Sequence, residues 1–298
     1  MAKWANIKFN RWSTPYPHSL PYRIFKESDK EVRSLVNTYE RSFSYICTNL
    51  KKSGATWEAP AFNFGLIDNN QTVTVKQWIL NAKEFGNWMR LNLLMSMCSN
   101  VETYIASVIR ESIESDPGII MGASHYIDGI KLLKSGKKVD ENVIAEHIKK
   151  CTKDTWSSRL NNIEKLFGAM PIIASNIGAL EEIRKLRNTV GHAFGRNIEK
   201  AQQYFKIEIE PMERLSVKRY NKYITILFDM VQKFDEIITR NHIGCFEIIF
   251  QYHKMYESIK HLDKDKQIEK LKEALHVETN SGVNKDLCRG VYLYYKDL

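Results

Sequence analysis

The sequence predicts an all-α protein, and three observations carry that expectation. Its 298 residues contain only seven prolines and fourteen glycines, few chain breakers for this length. Leu, Ile, Lys, Glu and Asn are plentiful, a balance that favours long helices over a turn-rich β fold. Apolar residues recur at three- and four-residue spacing through most of the chain. With 43% hydrophobic and 27% charged residues, it is long enough to bury one large core or two modest ones.

The elements follow in order. The first 25 residues carry Trp4, Phe9, Trp12, Tyr16 and Tyr22 among basic residues and three prolines, and read as an irregular arm that must lie on something. Ser28 with Glu31 has the spacing of a capping box. Val32, Leu35, Val36, Tyr39, Phe43, Ile46 and Leu50 then mark an amphipathic helix over about 28–52. Turn formers fill 54–73, where a boundary falls. Thr74 and Gln77 repeat the capping pattern, and residues 75–115 form one very long helix or two, stopped by Asp116-Pro117-Gly118. Further helices are expected at about 120–134, 140–152, 156–168, 176–192 and 214–241. Residues 205–211 alternate apolar and charged side chains, as a short extended piece would. Helical patterning resumes over 245–262 and 264–276, before an aromatic end at 291–295. This divides the chain into a basic arm and helix (1–73), a central helical domain (74–243) and a C-terminal helical extension (244–298).

A net charge of +9 favours polyanionic partners, because clustered Lys and Arg gain by releasing counterions from phosphate backbones. Residues 1–57 hold ten Lys or Arg against four acids, so two thirds of the excess sits there. The five cysteines are scattered, with no C-x-x-C pair, which predicts neither a zinc knuckle nor a disulfide framework and fits a reducing cytoplasm. No apolar run reads as a signal peptide or membrane span. No Gly-rich phosphate loop and no G-x-S-x-G elbow occurs, which argues against an NTPase or a serine hydrolase.

The stretch most informative about chemistry is residues 181–192, which ends Arg187-Asn188-Thr-Val-Gly-His192. On a regular helix Asn188 shares a face with His192, whereas Arg187 is offset from His192 by about 140°. Gly191 eases that restriction by letting the last turn unwind. An imidazole exchanges a proton near neutral pH, and a guanidinium presents a planar fork to phosphate oxygens. RNA supplies its own nucleophile, the 2′-hydroxyl, so these two groups are a minimal phosphodiester-cleaving set that requires no metal.

This pattern resembles the arginine, polar residue, three-residue spacer and histidine signature of the HEPN superfamily (higher eukaryotes and prokaryotes nucleotide-binding). Ser99-Asn-Val-Glu102-Thr-Tyr104 resembles the family's early helix, and the helix ending Phe-Asp-Glu-Ile-Ile238 is similar to its terminal one. The resemblance covers roughly residues 76–240. It implies an all-α, HEPN-like helical bundle, here with an additional N-terminal helix and arm and C-terminal helices. It implies a homodimer in which two motif helices meet at a twofold axis and build a composite cleft, and a metal-independent ribonuclease of toxin or antiviral-defence type. By carry-over His192 is the general base or acid, Arg187 steadies the phosphate, and Asn188 orients the histidine or holds the substrate. Glu102 is a supporting residue, and Arg184, Lys185 and Arg196 are substrate-binding cations. Neither cofactor nor metal is expected. The partners implied are RNA, a second copy, and an inhibitor, antitoxin or sensor protein. Where some relatives have a tyrosine two positions after the histidine, as acceptor of a blocking nucleotide, this chain has Phe194.

Blander readings stand beside these. Arg187 and His192 also suit a surface arginine and a helix-terminal histidine facing the helix dipole. Glu102 also suits a solvated helix face. The aromatic arm either stacks RNA bases or packs on protein. The clusters at 131–138 and 149–153 read as solvated helix faces. His253 with Glu257, and His261 with Asp265, have i, i+4 spacing but no third metal ligand.

Overall fold

The computed structural model describes residues 8–68, 72–193, 211–279 and 284–298, without the side chains of 192, 193 and 277–279. The described residues are all-α: they contain no β-strand, only one isolated antiparallel bridge between Pro60 and Thr74. In chain order the helices are α1 Leu20–Lys52, α2 Val75–Ser115, α3 Gly129–Lys134, α4 Glu141–Thr152, α5 Trp156–Phe167, α6 Pro171–Ala174, α7 Ile177–Ala193, α8 Val217–Ile238, α9 Phe246–Ile259, α10 Lys264–Thr279 and α11 Lys285–Asp297. No helix among them is long and apolar enough to cross a membrane.

Two boundaries differ from the sequence expectation. α1 begins at Leu20, so Ser28 lies well inside the helix. Its cap is Ser19, whose Oγ accepts from the Tyr22 N–H at 3.2 Å. Ser19 is buried and donates, through both its hydroxyl and its N–H, to the buried carboxylate of Asp235. A residue 216 positions away thus fixes where the helix starts. The aromatic end is itself a helix, α11, capped by Asn284 accepting from the Asp286 N–H at 2.9 Å. At α2 the expectation holds: Thr74 Oγ1 accepts from the Gln77 N–H at 3.2 Å, and residues 75–115 form one unbroken helix. Residues 205–210, expected to be extended, lie outside the described residues.

The chain divides into two compact units, one of Met1–Arg23, Thr103–Ser175 and Met230–Leu298, the other of Ile24–Glu102 and Asn176–Asp229. In the first, α4 packs on α5, and α9, α10 and α11 pack on one another, around Ile109, Ile113, Ile163, Phe234, Ile249, Tyr252 and Leu271. The basic arm is part of this core. Arg11 is 3% exposed and donates from Nη1 to the Ile243 carbonyl (2.9 Å), from Nη2 to the Ser115 carbonyl and hydroxyl (2.8 Å each), and from Nε to Asp128 (3.2 Å). Its carbonyl accepts from the Cys245 N–H at 2.8 Å. The backbone comes so close at Gly244 (φ +56°) that a Cβ there would lie 2.4 Å from the Arg11 oxygen, so both the left-handed conformation and the contact require glycine.

In the second unit α7 buries Leu180, Ile183, Leu186 and Val190, one helical stripe. Arg219 fastens α8 to α7 through Glu182 (2.7 Å). Arg90 on α2 joins Glu40 on α1 (2.8 Å) and the Leu215 carbonyl (2.8 Å), while Asn87 bonds the Glu213 carbonyl and the Leu215 N–H.

Candidate functional site

The burial of Ile183, Leu186 and Val190 turns the next faces of α7 toward solvent and toward α2, and these carry the motif. Arg187 and Asn188 share an open hollow of about 470 Å³ with Gly191 and with Met95, Ser96 and Ser99 of α2. The Arg187 guanidinium donates from Nη1 to Asn188 Oδ1 at 3.2 Å, and its Nη2 lies 3.5 Å from Glu102 Oε2. The side chain remains about one third exposed, so this pair holds the fork at the rim of the hollow while leaving it open to a ligand. The structure therefore brings Arg187, Asn188 and Glu102 together. Arg184 is engaged by Glu181 three residues before it, with Nη2 to Oε1 at 2.5 Å. Lys185 is exposed. The His192 side chain and the whole of Arg196 lie outside the described residues.

The expected unwinding at Gly191 does not occur. α7 stays helical through Gly191 and His192 to Ala193, because Val190 and Leu186 hold this last turn against the core. Positions 187 and 192 therefore stand about 140° apart around one regular helix. A Cβ on Gly191 would meet only Met95 Sδ, at 3.8 Å, an ordinary contact, so the chain itself makes no demand for glycine there.

Two further features lie around this hollow or in its unit. Phe85, Trp88, Asn92, Met95, Ser96 and Ser99 recur at helical spacing on α2 and form a solvent-facing stripe that runs into the hollow; Phe85 is 51% and Trp88 42% exposed. On α1, Lys26, Lys30, Arg33, Asn37 and Arg41 share one face and line a second cavity of about 510 Å³. There Arg33 pairs with Asp29 at 2.6 Å and sits over the Phe228 ring.

Spacing gave no hint of a second cluster, in the other unit: Asp116, His125 and His242, with one donor atom from each within 4.8 Å of the others. Of the histidines with i, i+4 carboxylate spacing, His253 has its Nδ1 2.6 Å from the Tyr295 hydroxyl. Compared with protein-family models, with curated proteins and with solved structures, the chain matches none.

Proposed function

We propose that this chain is a metal-independent endoribonuclease of HEPN type, acting as a homodimer with Arg187, Asn188 and His192 at its centre. The observation that carries the proposal is the open hollow in which Arg187 and Asn188 stand side by side. The regular helix backbone adds to it: with positions 187 and 192 about 140° apart around one α7, a shared scissile phosphate draws the arginine from one copy and the histidine from another. The exposed Phe85 and Trp88 stripe leading into the hollow suits docking of that second copy, and bare backbone at Gly191 suits close approach by a second helix or a phosphate. The cationic face of α1 suits the strand on either side of the cut.

In the proposed reaction the imidazole takes the 2′-hydroxyl proton, the 2′-oxygen bonds to phosphorus, and the P–O5′ bond breaks. The 5′-oxygen leaves with a proton from an imidazolium. Arg187 bears on the non-bridging oxygens, where negative charge develops. The products are a 2′,3′-cyclic phosphate and a 5′-hydroxyl. Action in the cytoplasm as a toxin or antiviral effector, restrained by an inhibitor, antitoxin or sensor protein, belongs to the same proposal.

The ion pair of Arg187 with Glu102 favours a second reading, a non-catalytic nucleic-acid-binding or scaffold module in which that pair is structural. To separate the two, wild type, His192→Ala and Arg187→Ala are incubated with total RNA in chelator, with helicity checked by circular dichroism and fragment ends mapped. The nuclease reading expects cyclic-phosphate ends from wild type and a loss of about 10²- to 10⁴-fold in His192→Ala. Cleavage that persists in folded variants, or that requires a divalent ion, sinks it; RNA binding without cleavage gives the second reading.

A further inference from the structure

We propose that Asp116, His125 and His242 form a binding site for a late first-row divalent metal ion, zinc foremost. The three come from separate segments. Asp116 is the residue at the end of α2 where Pro117 starts a short 3-10 turn. His125 follows that turn, and His242 lies in the π turn Thr239–Ile243 at the end of α8. Their spacing in space is that of a ligand set: His242 Nδ1 is 3.1 Å from Asp116 Oδ2, and His125 Nε2 is 3.9 Å from the same oxygen. A tetrahedral ion with ligands at about 2.0–2.1 Å spreads them about 3.3 Å apart, so only small adjustments separate this arrangement from a coordinated one.

Backbone conformations that are seldom adopted aim the two histidines. His125 has φ +65°, a left-handed conformation that costs energy in a residue with a Cβ. His242 stands in a π turn, an irregularity that accumulates at functional sites. The carboxylate is oriented from behind: Asp116 Oδ1 accepts from the His125 N–H at 2.8 Å and Oδ2 from Ser124 Oγ at 2.6 Å, the outer bonds that hold metal ligands in place. Asp116 is fully buried, and the His242 ring, 9% exposed, is packed against Phe167. His125 is 43% exposed and stacks on Trp12 at 3.9 Å, which leaves one side open for water or a substrate oxygen. The Asn241 carbonyl accepts from His125 Nε2–H at 2.6 Å, so binding of an ion displaces that proton and frees the nitrogen lone pair for the metal. Two imidazoles with a single carboxylate suit zinc and its neighbours; magnesium and calcium prefer all-oxygen sites.

A bound ion would tie together the 116–125 turn and the π turn. It would lie in the unit that does not hold Arg187, so its test is independent of RNA cleavage. Full-length protein is stripped with chelator, dialysed, and titrated with zinc by competition against a chromophoric chelator; cobalt is added separately and its visible absorption recorded. One zinc per chain and a tetrahedral cobalt spectrum are expected. His125→Asn, which tolerates the left-handed backbone and sits at an accessible position, lowers affinity more than about 100-fold, and Ser124→Ala lowers it about 10- to 100-fold. His253→Ala leaves it unchanged. No zinc uptake by folded wild type, or the same affinity in folded His125→Asn, overturns the proposal.

Discussion

Replacing Arg11 tests whether the basic arm belongs to the fold or is held in reserve for a ligand. In Arg11→Met the side-chain volume is roughly kept, but four hydrogen bonds disappear. The Ser115 carbonyl loses the Arg11 donor in a buried place, the Ile243 carbonyl keeps only the Ser115 hydroxyl at 3.3 Å, and Asp128 loses its cation. Burial lowers the guanidinium pKa, while Asp128 acts in the opposite sense; at 3% exposure, solvent screening provides little relief. Breaking a buried ion pair from one side costs about 3–5 kcal/mol. With a urea dependence of about 3 kcal/mol per M, the unfolding midpoint falls by roughly 1–1.7 M. Arg11→Lys recovers little, because an ammonium cannot reach in three directions as the fork does. The assay is urea unfolding followed by circular dichroism. A loss below about 1 kcal/mol, the size of an exposed pair, refutes the argument and frees the arm for another role.

Three other outcomes follow from the same geometry. Glu111 and Glu247 hydrogen-bond each other beside Asp235, Glu114 and Arg23; burial foremost, then repulsion by Glu247, raises the Glu111 pKa well above its ordinary value, and burial raises that of Glu247 as well. Such groups favour the folded state fully below the ordinary glutamate value of about 4.3 and lose that contribution as pH rises through the folded pKa; Glu111→Gln therefore gains thermal stability relative to wild type as pH increases, and a pH-independent difference counts against it. Gly244→Ala, strained by both φ and the Arg11 carbonyl, loses more than about 1 kcal/mol in the same urea assay; near-neutrality shows the close approach to be wrong. If the α1 face of Lys26, Lys30 and Arg41 holds RNA, the triple alanine variant reduces the slope of log affinity against log salt by about 2, and an unchanged slope places the RNA elsewhere.

What the sequence disclosed and what it hid divide along a physical line. Thr74 could be read as a cap because the group it serves is three residues away, and the stripes of α7 and α8 because periodicity is a property of the segment itself. Ser28 has the same local signature as Thr74, yet the helix starts nine residues earlier, since Asp235 receives Ser19 and outweighs any preference at Ser28. The motif is legible for a like reason: Arg187 and Asn188 are neighbours in sequence, so their adjacency needs no tertiary information, whereas the hollow they share with Met95, Ser96 and Ser99 and the pairing with Glu102 depend on the packing of α7 on α2. Asp116 and His242 lie 126 positions apart, and with His125 they obey no helical spacing. Asp116 looked like a helix stop and was one; its second task becomes visible only when α8 ends in a π turn instead of a regular one and brings His242 to its carboxylate. Local rules thus recover elements, whereas sites assembled from several elements depend on irregular turns that those rules treat as endings. The dimeric centre proposed around Arg187 is one step further along the same line, since its missing partner group is carried by another copy of the chain.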